Sequence, residues 1–268
     1  MKKRVGWRVD AKWVAGILFT ISLLIWTIFF NLYQLTSFKQ AKNIIEAVLE
    51  EPISQFVDKS YPLMLIAAQI NPEKTLTPPK EVPFNIEIKG RDVTGKTPEQ
   101  LEKHIINQIA TQIYNEGLES VVPEKWQATQ KYPEGPPQKQ QALSPGTGSV
   151  MFSIMNLFTA KSNRLFGMLL IISTIFTVLF LGLLVGFSYR FGRALSLGIC
   201  LSVVGLWGTL FFSSAKLGAT LPPNEKYLNI LRQPAANILT TYATVLIVGA
   251  VLIVTGIVGE SILWITNK

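Results

Sequence analysis

Few residues in this chain could do chemistry. His104 is the only histidine and Cys200 the only cysteine among 268 residues. An imidazole can titrate near neutral pH or hold a metal, but His104 follows Glu102 and Lys103 on the polar side of an amphipathic stretch. It therefore reads as a solvated surface residue. Cys200 sits within an apolar run, so neither an intrachain disulfide nor a zinc-type thiolate cluster can form. No serine occupies a GxSxG elbow, and the GxxxxGK[ST], GxGxxG and HExxH signatures are missing. Hydrolases, nucleotide enzymes and zinc proteases built on those devices are disfavoured. No catalytic, cofactor-binding or metal-ligating residue is assigned, no cofactor is expected, and the chain is expected not to be an enzyme.

A second chemistry would be ion or proton movement through lipid, which requires ionisable groups in the middle of a span. A mid-bilayer charge costs at least ~2.5 kcal/mol on insertion scales and marks a pathway when it is present. Glu260 is the sole candidate and falls near the end of its apolar run, at headgroup depth. What the apolar runs do contain is small residues at helix-packing spacing: Gly182 with Gly186, then Ala194, Gly198 and Ser202. Such spacing lets helices approach closely, within one molecule or across a dimer.

These residues need spans to carry them, and the composition supplies them. Hydrophobic residues make up 49% and charged residues 16%, unevenly distributed. Residues 14–33 and 165–189 carry no charge at all, and each stretch suffices for the ~20 residues that cross the hydrocarbon. We expect an all-α integral membrane protein with four transmembrane helices, at 13–33, 165–189, 194–214 and 238–264. The first looks like a signal sequence but is too long and ends in bulky residues, Phe29 to Tyr33, so it reads as an uncleaved anchor.

Location explains the net charge of +8 better than a polyanionic partner does. Residues 1–12 hold Lys2, Lys3, Arg4, Arg8 and Lys12 against Asp10, whereas residues 34–163 hold 13 basic and 14 acidic side chains and are nearly neutral. Nucleic acid is therefore not an expected partner. Arg190 and Arg193 lie in the tight loop between the second and third spans. Cytoplasmic loops retain Lys and Arg, so the N-terminus (1–12) and this loop share the inner side. Residues 34–164 and the 215–237 loop then fall outside the cytoplasm. Trp13, Tyr33, Tyr189 and Trp264 would be interfacial anchors. Size and the lack of external disulfide staples point to a prokaryotic plasma membrane.

The external segment reads as a mostly helical domain (34–125), a flexible linker (126–149) and an interfacial helix (150–163). A helix should leave the membrane unbroken from the first span, with Phe38, Ala41, Ile45, Val48 and Leu49 on one face. Pro52 should kink or end it, and the apolar run 61–70 should pack back over it. Val82, Phe84, Ile86 and Ile88 alternate at strand period, but no pairing strand is evident, and extended loop is favoured. The clearest boundary is Thr97 as N-cap with Pro98 next and Gln100 three residues on. The helix it opens carries a stripe of Leu101, Ile105, Ile109 and Ile113, a face for the 36–50 helix or for a partner.

Two functions fit these features. One is a non-catalytic membrane protein whose external domain binds or organises a partner protein, or a second copy of itself, in a scaffold, assembly or sensor role. The alternative is a membrane subunit of a transporter or exporter whose external domain couples to a partner. One span, a large outer domain and three further spans is also the layout of some permease-like exporter subunits, an analogy of layout alone.

Overall fold

The computed structural model of the chain describes residues 6–73, 75–76, 87–121, 155–217 and 225–266. Four helices are long and apolar enough to cross a membrane: α1 (Gly6–Leu35), α5 (Ala160–Phe187), α6 (Gly192–Leu217) and α7 (Glu225–Thr266). The architecture fits an all-α membrane protein. The helices run beyond the expected spans. Their membrane-length portions are Val9–Leu35, Ala160–Phe187, Gly192–Ser213 and Pro234–Thr266. Residues 225–237, expected as loop, are helical and continue into α7 through Pro234.

The chain divides into two units, one formed by Met1–Gln34 with Leu165–Lys268 and the other by Leu35–Arg164. In the first, the four apolar helices meet around Ala15, Phe19 and Leu23 of α1, Leu184 of α5, Cys200 and Val204 of α6, and Tyr242 of α7. Outside this core the unit is apolar on its surface, with Ile17, Ile21, Ile171, Ile175, Ile247 and Val254 all more than half exposed. Water would penalise such a surface heavily, and lipid would not.

The second unit is built on α2 (Phe38–Ile70) and α4 (Pro98–Glu116), which pack on each other. Thr36 and Ser37 break the helix between α1 and α2, so the expected unbroken exit from the first span does not occur. Pro52 does not end α2 either, and the 61–70 run is the same helix rather than a layer folded over it. Each proline removes one backbone donor. Burial of Ile53, Phe56 and Val57 immediately after Pro52 holds the next turn against the core.

After α2 the chain forms a two-residue antiparallel ladder, β1 (Thr75–Leu76) with β2 (Ile88–Lys89), and a single turn, α3 (Gly90–Val93). Ile88 is thus paired, where an extended loop was expected; Val82, Phe84 and Ile86 lie outside the described residues. The turn sits so close to the end of α2 that a Cβ on Gly90 would come within 2.9 Å of the Asn71 and Pro72 carbonyl oxygens. Tyr61 donates its hydroxyl to the Lys96 carbonyl at 2.7 Å, tying α2 to the approach to α4.

The start of α4 is as expected. Gln100 N–H donates to Thr97 Oγ1 at 3.3 Å, and Thr97 N–H donates to Gln100 Oε1 at 3.1 Å, satisfying two of the helix's orphan donors reciprocally. Gly117, at φ +90°, closes the helix and leads into a 3-10 turn, Leu118–Ser120. Thr97→Ala should lower the stability of this domain by ~1 kcal/mol and Thr97→Ser by much less. Amide hydrogen exchange over the first turn of α4 in the full-length protein checks this.

The 126–149 linker and residues 150–154 of the expected interfacial helix lie outside the described residues. Residues 155–157 form a helical turn, and Met155 and Phe158 are buried. Ala160 onward already belongs to α5. Asn163 donates to Thr36 Oγ1 at 3.1 Å, so the two ends of the second unit are held together by side chains.

Candidate functional site

The small residues that sequence spacing singles out separate into two groups. Gly198 and Ser202 lie on the closely packed seam between α6 and α7. A Cβ on Gly198 would stand 2.7 Å from the backbone nitrogen of Ile253 and 2.8 Å from the Gly249 carbonyl. Gly249 in turn faces Ser202, whose backbone nitrogen and hydroxyl would each be 2.6 Å from an added Cβ. Ala194 is half-buried, and its neighbour Leu195 is the residue that meets Gly256. Gly182 and Gly186 of α5 are exposed, with no described atom within 4 Å of an added Cβ.

The seam extends well beyond those two positions. Gly205 faces Leu246, Gly208 faces the ring of Tyr242, and Gly259 faces the ring of Phe191. Gly198, Gly205 and Gly208 of α6 thus receive residues of α7, and Gly249, Gly256 and Gly259 of α7 receive Ser202 and Leu195 of α6 and Phe191 of the preceding turn. Small residues at such a contact let backbones approach to van der Waals distance, which drives helix association where no hydrophobic effect operates. Sequence reading missed Gly205, Gly208, Gly249, Gly256 and Gly259. Their signal was a spacing of seven, as in Gly198 to Gly205 and Gly249 to Gly256.

Helices α1 and α5 are joined differently. Ser22 and Thr177 share a 2.8 Å hydroxyl hydrogen bond, and Trp26 Nε1 donates to Thr174 Oγ1 at 2.9 Å. An open apolar groove runs beside these contacts, lined by Ile21, Ile25, Phe29, Ile172 and Phe176 among others. Its walls carry no charged side chain. Glu260, next to the Gly259 that receives Phe191, is exposed.

The stripe of Leu101, Ile105, Ile109 and Ile113 on α4 is at most 1% exposed and belongs to the core formed with α2. It is closed within the domain. His104 is on the outer side of α4, 4.0 Å from Asp92, with both side chains about one-third exposed or more. Among the described residues, no three His, Cys, Asp or Glu side chains converge.

A different surface stands out on α2. From Asn43 to Lys59 its exposed side chains are all polar: Asn43, Glu50, Glu51, Gln55, Asp58 and Lys59. One turn later three large apolar side chains are exposed, Leu63 at 71%, Ile66 at 56% and Ile70 at 80%, with Pro62 and Gln69 exposed beside them. Spacing of three and four places these three on one side of the helix, opposite the inward-facing Met64 and Ala68. Comparison with protein-family models, curated proteins and solved structures gave no match for the chain.

Proposed function

We propose that the chain is a non-catalytic, multi-pass protein of a prokaryotic plasma membrane. Its N-terminus is cytoplasmic, and its 35–164 domain, outside the cytoplasm, binds a partner protein through the Leu63, Ile66 and Ile70 ridge. The exposed row of Leu63, Ile66 and Ile70, following a stretch of α2 whose exposed side chains are all polar, carries this reading. Each of the three side chains contributes ~1.5–3 kcal/mol when fully buried. A water-facing domain that leaves such a row open has a use for it in association. The orientation draws support from a common end of the four-helix unit. Trp7 of α1 packs edge-on to Phe187 of α5, and Phe191, just before α6, meets Gly259 of α7. The Arg190 and Arg193 turn therefore lies beside the basic start of α1, where the inner-side rule would have it.

A photo-crosslinking residue at Ile66 in cells should capture a discrete protein partner, and one at Asp58 should not. Replacing Leu63 and Ile66 together by glutamate should abolish capture from position 70 while the protein accumulates normally. Capture that survives the double replacement would overturn the ridge as the binding face. Failure of every ridge position to crosslink, with solute movement by the purified protein in vesicles, would replace the scaffold reading by a transport one.

A further inference from the structure

The turn joining α5 to α6 contains the only described non-glycine residue with positive φ, Arg190 at +45°. An L-residue pays a steric cost in that region that glycine avoids. The Arg190 guanidinium lies 5.2 Å over the Tyr189 ring, and Arg193 Nε donates to the Ser188 carbonyl at 3.2 Å. Neither arginine has a carboxylate partner among the described residues. Backbone bonds from Gly192 to Tyr189 and from Arg193 to Arg190 close the turn.

Tyr189 in the turn, Trp7 packed on Phe187 just before it, and Trp264, five residues beyond the Gly259 that meets Phe191, are exposed by 73%, 64% and 65%. Lys12 is half-buried on the neighbouring α1, and Asp10 and Glu260 are the exposed acids at the same helix ends. Cations set among exposed amphipathic rings at the ends of apolar helices match the headgroup layer of a bilayer, where phosphate lies above and acyl chains lie below. The planar guanidinium suits a phosphate oxygen pair better than ammonium does.

We propose that the 188–193 turn is a docking surface for the phosphodiester of an anionic membrane lipid, held by Arg190 and Arg193. The assignment stands apart from the partner-binding reading, since it concerns the other unit of the chain. The lipid contributes what a free anion lacks, acyl chains against the apolar flanks of α5 and α6.

Native mass spectrometry of the full-length protein, released from micelles doped with phosphatidylglycerol or phosphatidylcholine, tests this. The wild type should retain phosphatidylglycerol preferentially, and Arg190→Gln with Arg193→Gln should weaken that preference by about thirtyfold, at ~1 kcal/mol per cation. Lys161→Gln with Arg164→Gln, at the opposite end of α5, should leave the preference intact. Arg190→Gly relaxes the backbone and should fold at least as well as wild type while losing several-fold in preference, which separates lipid binding from folding. Undiminished preference in the double variant would overturn the assignment. So would displacement of the lipid by millimolar inorganic phosphate, which would mark a site for free anions.

Discussion

Gly205→Ala is expected to destabilise the α6–α7 pair by ~3 kcal/mol, the upper part of the range for overpacking a filled contact. The added methyl would lie 2.5 Å from the backbone nitrogen of Leu246 and 2.6 Å from its Cα. Backbone atoms of a helix cannot step aside as a side-chain tip can, so relief requires the two helices to part along the seam. Leu246→Ala should consequently fail to rescue the variant, because trimming that side chain leaves the offending atoms in place. Gly182→Ala and Gly186→Ala add the same methyl to open surface and should stay within ~0.5 kcal/mol of wild type. Unfolding in mixed detergent micelles, followed by tryptophan fluorescence, measures all four. A tolerated Gly205→Ala beside a damaging Gly182→Ala would mean that the close-packed seam has been assigned to the wrong helices.

The same comparison shows where sequence is informative and where it falls short. Gly182 and Gly186 have the spacing of four associated with close helix crossing, yet they face outward, while the working seam uses Gly198, Ser202 and Gly205. A spacing within one helix says that a neighbour could come close; it does not say which neighbour does. The seven-residue recurrence across α6 and α7 carried the missing information, because a face kept over two turns on both members of an adjacent pair specifies the contact. The four apolar helices were legible because lipid demands length and uniform apolarity together. The α4 start was legible because a capping box is complete within four residues. Pro52 misled for the opposite reason: the loss of one backbone bond is local, whereas burial of Ile53, Phe56 and Val57 is set by α4, a long way along the chain. The ladder of Thr75 and Leu76 with Lys89 and Ile88 is two residues long and leaves no periodicity to read. In the 61–70 run, apolar residues point both ways. Only the packing reveals that Met64 and Ala68 face inward while Leu63, Ile66 and Ile70 do not.

That division yields the second large effect. Ile109 and Ile66 are the same residue type on two helices of one domain, 1% and 56% exposed respectively. Ile109→Ala should destabilise the domain by ~2–5 kcal/mol, since the lost methyl groups leave a cavity between α4 and α2 as well as removing their transfer free energy. Leu101, Ile105 and Ile113 are fully buried along the same stripe, and Ile45, Leu49 and Ile53 are fully buried on α2. Ile66→Ala removes methyls already in solvent and should change stability by less than ~0.5 kcal/mol, while weakening capture of the partner. Hydrogen exchange of the full-length protein distinguishes the two, as protection in the middle of α4 should fall about thirtyfold or more for Ile109→Ala and remain unaltered for Ile66→Ala. Equal, small losses from both would show that the α4 stripe is not what holds the domain together. The partner face would then have to be sought on α4, because an apolar row whose truncation costs the free protein nothing is kept for something outside it.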